Sequence, residues 1–162
     1  MTNSHQTSKP REYSIRVGGK AVIIRDDMIL LVKYDDENGP HYNCPGGGHQ
    51  SGETIRQTVA REVLEETAAV VEVGELLVVL ESPPFKPDHT FLPVHHLLLF
   101  FECTLKPGSG PRFPDTPDPN HTDVEWIPYS ELANTWVFPD IARELETALT
   151  GARPVFIEVG RH

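Results

Sequence analysis

The residues best placed for chemistry in this chain are three glutamates, Glu62, Glu65 and Glu66, which crowd one helix-like segment just after a run of glycines. The stretch opens with Gly47-Gly48-His49-Gln50-Ser51-Gly52-Glu53 and closes with Arg61-Glu62-Val63-Leu64-Glu65-Glu66-Thr67-Ala68-Ala69. Turned about 100° per residue, positions 54–67 place Ile55, Val59 and Val63 on one apolar stripe, with the three glutamates immediately beside it. A surface helix normally keeps its charges opposite the stripe. Glu62 with Glu66, and Glu62 with Glu65, are like-charge pairs at i,i+4 and i,i+3. Each disfavours the helix by about 0.2–0.5 kcal/mol in water, and by more beside a low-dielectric wall. A hard divalent cation is one reason to hold such a cluster. Mg²⁺ takes oxygen ligands, keeps several waters, and suits one or two carboxylates plus a substrate phosphate. Taken alone, the acids read equally well as a solvated face paired with Arg56 and Arg61.

The elements that must position these acids shift that balance. Pro45-Gly46-Gly47-Gly48 follows a short strand-like run at 41–44 and cannot continue it. Glycines let the backbone approach a ligand closely and expose its N–H and C=O groups, so the stretch is expected to be a loop. Thr54 followed by Gln57 fits a capping box, which fixes the helix start. A carbonyl from the glycine stretch would then lie near the carboxylates.

The pattern Gly-x5-Glu-x7-Arg-Glu-hydrophobic-x-Glu-Glu, carried here by Gly47, Glu53, Arg61, Glu62, Val63, Glu65 and Glu66, resembles the Nudix hydrolase family. The agreement is specific, because seven chemically distinct positions match at fixed spacing. One element departs: the family usually has Gly where this chain has Ala68. The resemblance implies an α/β protein, a Nudix-like α/β/α sandwich with a mixed β-sheet. It implies a metal-dependent hydrolase that cleaves the pyrophosphate bond of a nucleoside diphosphate linked to another group. On the same footing, Glu65 and Glu66 are metal ligands with the Gly47 carbonyl, and Glu62 is a ligand or the general base. Arg61 and Glu53 complete the catalytic set in a mainly structural role, Arg61 orienting Glu62 and Glu66 and pairing with Glu53. The cofactor is Mg²⁺, with Mn²⁺ as the alternative. The partner is a small-molecule nucleotide, of nucleoside triphosphate or ADP-ribose type. In the family a proline about fifteen residues past the box accompanies ADP-ribose hydrolysis, and Pro84 stands there. A non-catalytic nucleotide-binding regulatory module of the same fold is the alternative. Such modules usually lose box acids, and all four are present here.

Outside the box, Lys33 and Arg25 are candidates to meet a substrate phosphate, and Glu102, Asp123 and Glu125 are candidates for a further ligand or base. His95 and His96 are adjacent, so they face opposite sides of a strand. Tyr34, Phe85, Phe91 and Trp126 are available to stack on a base.

The remaining sequence bounds these readings. A chain of 162 residues makes one domain, expected at 12–162 behind a flexible tail at 1–11. Basic residues number 14 against 24 acidic, a net charge of −10, which argues against a nucleic-acid partner. Two cysteines give no disulfide framework and fit a cytoplasmic setting. The first ten residues hold no apolar core of a signal peptide, and the longest apolar run, 97–101, is far too short for a membrane span. A homodimer is left open. Strands are expected at 15–25 and 28–34 around an Asp26-Asp27 turn, at 41–44, 70–80, 94–105, 123–127 and 154–159. Residues 94–105 are apolar on both faces and so should be central. Loops are expected at 35–40, 81–93 and 106–120, a short turn at 128–132, and a second helix at 139–149, with Ile141, Leu145 and Leu149 on its inner side.

Overall fold

The computed structural model describes residues 14–83, 94–151 and 153–158. The expected tail at 1–11, and Pro84, Phe85 and Phe91, lie outside the described residues. In chain order the elements are β1 (Ile15–Arg25), β2 (Met28–Asp36), β3 (Gly39–Asn43), β4 (Gly46–Gly48), α1 (Ile55–Thr67), β5 (Val71–Ser82), β6 (His95–Leu105), β7 (His121–Pro128), α2 (Ala142–Thr150) and β8 (Val155–Glu158). A 3₁₀ turn, Tyr129–Asn134, follows β7.

The strands run in the order β3-β2-β1-β6-β5-β8, with β4 added on β1 and β7 on β2. The sheet is mixed: β1 with β6, and β5 with β8, are parallel, while the other pairs are antiparallel. β1 and β2 share only the pairs Ile24↔Ile29 and Arg25↔Met28, so β2, β3 and β7 splay away as a second antiparallel leaf. Asp26 and Asp27 take φ of 53° and 60°, the left-handed pair that a tight two-residue hairpin requires and that aspartate tolerates.

Period-2 alternation builds two cores from the same strands. Ala21, Ile23, Leu30, Phe101 and Cys103 pack under Val59 and Val63 of α1. Val22, Ile29, Leu31, Phe100 and Leu80 pack with Ile141, Leu145 and Ala148 on the α2 side. Phe100 and Phe101 thus enter opposite cores, which is why β6 reads as apolar on both faces. It lies between β1 and β5, as its composition predicts. Helices on both sides of a mixed sheet make the expected α/β/α sandwich. Val59 and Val63 are both fully buried, and each contributes about 1.5–3 kcal/mol against leaving it exposed. Among the described residues no helix is long and apolar enough to cross a membrane.

Three local expectations shift. The loop at 35–40 shrinks to two residues, because β2 continues to Asp36 and β3 begins at Gly39. The glycine loop is partly a strand: Gly46–Gly48 pairs with Gly18–Lys20 of β1. Helix α2 begins at Ala142, three residues later than its apolar spacing suggests, with Ile141 at its N-cap.

Helix α1 begins as expected. Thr54 caps it, its hydroxyl accepting from the Gln57 N–H, while the Gln57 side chain accepts from the Thr54 N–H at 2.7 Å. The helix ends at Ala68, at φ 53° and ψ 16°, with its N–H on the Leu64 carbonyl at 3.0 Å. A left-handed residue with a Cβ costs about 1–2 kcal/mol, part of which glycine returns through its freer unfolded chain. Ala68→Gly is therefore expected to stabilise the protein by about 0.5–1 kcal/mol, a rise of about 2–3 °C in Tm by calorimetry. A fall in Tm would show that the alanine conformation carries no strain.

Candidate functional site

Arg61 organises the site from the middle of α1. Its guanidinium has five N–H donors, and the structure gives it five bonds. Nε and Nη2 grip the Glu53 carboxylate at 3.0 and 2.8 Å, and Nη2 also donates to the Gly48 carbonyl at 3.1 Å. Nη1 donates to Glu62 Oε1 at 2.7 Å and Glu65 Oε2 at 3.2 Å. One side chain thus ties the loop before the helix, the β4 strand and two of the three acids together. Glu53 accepts further bonds from the Thr58 hydroxyl and the Gln50 N–H, both at 2.8 Å. The Arg61 bonds, aided by these, hold the Glu53 carboxyl down to about 2. A depressed carboxylate stabilises the fold above its unfolded pKa, and that contribution fades only as pH falls toward about 2. The Glu53–Arg61 brace is accordingly intact at every pH near neutrality.

The glycines earn their place by what they let approach. Gly47 and Gly19 are paired across β4 and β1. A Cβ on Gly47 would stand 2.5 Å from the Glu62 carboxylate, and one on Gly19 would stand 2.7 Å from Val59 Cγ2. The strands can therefore lie directly under α1, with Glu62 folded against the Gly47 backbone.

Glu66 is the buried member, 5% exposed. Its Oε1 accepts from the Tyr34 hydroxyl and its Oε2 from the Gly46 N–H, each at 2.7 Å. Lys20 Nζ donates to the Gly46 carbonyl at 2.5 Å and places a positive charge near the same carboxylate. Burial pushes Glu66 above the usual carboxylate range, with Lys20 and the two hydrogen bonds opposing. Burial also pushes Glu62 up; Arg61 opposes, and the negative charges of Glu66 and Glu65 add to the rise. Glu65, by contrast, is 57% exposed at the side chain. The acids therefore form a row from the core to solvent in which the inner two are under-compensated, a donor set suited to a hard divalent cation. Among the described residues, no three His, Cys, Asp or Glu side chains stand ready-gathered to hold a metal ion. Arg61, Tyr34 and the Gly46 N–H occupy the carboxylates instead.

The structure brings Gly47, Glu53, Arg61, Glu62, Glu65 and Glu66 together and gives the remaining candidates other partners. Lys33 pairs with Glu125 Oε1 at 3.1 Å, and the Tyr42 hydroxyl donates to Glu125 Oε2 at 2.8 Å. Tyr34, one residue along β2, faces Glu66, so Lys33 and Glu125 lie on the opposite face of that leaf. Arg25 lies over Trp126 at 4.7 Å, and Glu102 pairs with Arg153 at 3.0 Å. His95 meets Glu81 at 2.9 Å, and His96 is bonded to the Val94 carbonyl.

Two features were not read from the sequence. Lys20 carries no motif. A row of rings crosses the second leaf beside Glu66. Tyr34 stacks on His121 at 5.3 Å and on His41 at 6.0 Å, His41 meets Trp136 at 5.8 Å, and His121 meets Phe113 at 5.0 Å. The only sequence signal is the register Tyr34↔His41 and Tyr34↔His121, legible once the strand pairing is known.

Comparison with known proteins agrees with this geometry. The sequence matches the family model of the NUDIX domain over residues 16–147. It is 32% identical to a MutT-like protein of Streptomyces ambofaciens, over 95% of this chain and 88% of that one. It is 34% identical to the ADP-ribose pyrophosphatase of Methanocaldococcus jannaschii, over 56% of this chain. That match spans 54% of the archaeal protein, so the chain corresponds to about half of that relative's length. The fold superposes on the crystal structure of a mutator MutT protein from Bacillus halodurans with a TM-score of 0.69, 20% identity and 88% of each chain covered.

Proposed function

The chain belongs to the NUDIX domain family, and from that premise we propose that it is a metal-dependent pyrophosphohydrolase acting on a nucleoside diphosphate linked to another group, with ADP-ribose first among its substrates. The observation that carries this reading is the row Glu62, Glu65 and Glu66 on one edge of α1, the first two held by Arg61 and the third by Tyr34 and the Gly46 N–H, beside the β4 glycines. Glu65, Glu66 and the Gly47 carbonyl would hold Mg²⁺ or Mn²⁺, with Glu62 beside them as the base. When bound, the ion neutralises phosphate oxygens and lowers the pKa of a coordinated water.

The protein groups have separable tasks. Tyr34 and the Gly46 N–H fix the Glu66 carboxylate in one orientation. Arg61, braced by Glu53, sets the angle of Glu62 and engages its Oε1, leaving Oε2 for a proton. Burial raises the proton affinity of Glu62, which suits it to take the proton of the attacking water. Glu65, the most exposed of the three, can release Arg61 at little cost, as an exposed pair contributes only about 0–1 kcal/mol. The archaeal relative's activity toward ADP-ribose supports that substrate class. The buried free thiols Cys44 and Cys103 suit the reducing cytoplasm in which such a nucleotide pool would be met.

The test is turnover of a panel comprising ADP-ribose, the nucleoside triphosphates and dinucleotides, with products separated by chromatography. ADP-ribose is expected to give AMP and ribose 5-phosphate, with the highest kcat/KM of the panel. Absence of hydrolysis across the panel would refute the reading. Gly47→Ala provides a structural check. The new methyl must push the Glu62 carboxylate aside, a flexible side-chain end, so folding should survive. Misplacement by about 1 Å can cost about 10²-fold, so kcat is expected to fall by about 10–10²-fold with Tm nearly unchanged. Full activity in Gly47→Ala would mean that the Glu62 position is not critical.

A further inference from the structure

Apart from Tyr34, whose hydroxyl holds Glu66, the ring row lies outside the assignments made so far. It draws on β2, β3, β7 and two connecting segments, and it ends at both sides in an exposed large ring: Trp136 is 48% and Phe113 is 40% exposed. Its middle ring, Tyr34, is bonded through its hydroxyl to Glu66. An exposed indole at the end of such a row leaves an apolar face open to a stacking partner. We propose that the free face of Trp136 is the platform on which the substrate's purine base stacks, so that Trp136 sets the preference for a nucleotide over a bare sugar phosphate. This rests on the nucleotide reading above and adds the group that recognises the base.

Anchoring, charge and ring size favour the Trp136 end. Trp136 stands two ring spacings from Tyr34, through His41 at 5.8 and 6.0 Å, and Phe113 two spacings through His121 at 5.0 and 5.3 Å, so a ribose and its phosphates can bridge from either ring to the Glu66 end of the acid row and the choice rests on the surroundings. The position is fixed from behind: the Trp136 carbonyl accepts from the Tyr42 N–H at 2.9 Å, and Val137 bridges to Tyr42, so the indole is carried by the edge of β3. The Phe113 end is less favourable for an anion. The charge of Asp118 reaches Tyr34, Glu66 and His121 on that side, whereas Asp115 is paired with Arg112 at 3.1 Å. An indole also offers the larger face to a fused base.

The test uses ligands that cannot be hydrolysed at a pyrophosphate bond. AMP and ribose 5-phosphate differ only by the base. Their dissociation constants are measured by calorimetry on the native chain, Trp136→Ala, Trp136→Phe and Phe113→Ala. Loss of a base-stacking ring costs at least about fivefold in affinity. Trp136→Ala is expected to weaken AMP by that factor or more and to leave ribose 5-phosphate unchanged. Trp136→Phe should recover most of the loss, Phe113→Ala should bind like the native chain, and all four should melt alike. Equal weakening of both ligands in Trp136→Ala, loss in Phe113→Ala alone, or no AMP binding to the native chain would overturn the platform. Its failure is separable from that of the hydrolase. Trp136-dependent AMP binding without turnover of the panel would sink the chemistry and keep the platform. Turnover without Trp136 dependence would do the reverse.

Discussion

Glu62→Gln is expected to lower kcat by about 10²–10⁴-fold while the fold stays intact. The two side chains are nearly the same shape, so the amide oxygen can still accept from Arg61 Nη1, now 2.7 Å from Oε1. What disappears is the proton-accepting oxygen and one negative charge in a row where burial and the neighbouring acids already disfavour it. Removing that charge relieves like-charge repulsion, so Tm should hold or rise slightly. Steady-state kinetics on the best substrate, read beside a melting curve, separates the outcomes. Normal turnover would show that another group takes the proton. Loss of activity accompanied by unfolding would mean that Glu62 is a structural partner of Arg61.

The parts of this protein that were legible in the sequence are those fixed by local chemistry. Thr54 and Gln57 specify the start of α1 within one turn. The spacing from Gly47 to Glu66 encodes which side chains meet, because a helix and the segment feeding it leave little freedom. The β6 strand announced its central place through residues such as Phe100 and Phe101, which serve two cores. The β4 strand was read as a loop because glycines carry no alternation, and only the long-range pairing of Gly47 with Gly19 makes it a strand. Lys33 and Glu125 are separated from the acid row by the face on which they fall, and that is set by the pairing of β2 with β3 and β7. Glu102 finds its partner Arg153 51 positions away, a contact that no local pattern encodes. The ring row escaped notice for the same reason: its members are spread from Tyr34 to Trp136 and share only strand register.

Removal of divalent metal should have the largest effect of all. The three glutamates repel one another, and Arg61 is their main counter-charge, already shared with Glu53 and the Gly48 carbonyl. A substrate pyrophosphate brings further negative charge to this edge, and Arg56, the other arginine of the stretch, is committed to the Val73 and Gly74 carbonyls instead. An ion at the carboxylates supplies several kcal/mol of that compensation, about 10³-fold or more in rate. It should also stabilise the fold, by about 2.7 kcal/mol at a hundredfold excess over Kd. The decisive measurement is turnover of ADP-ribose by the native chain in excess Mg²⁺, and again in excess chelator. The rate is expected to fall by about 10³-fold or more under chelation and to return when Mg²⁺ or Mn²⁺ is restored. Undiminished turnover in chelator would contradict the metal role of Glu65 and Glu66.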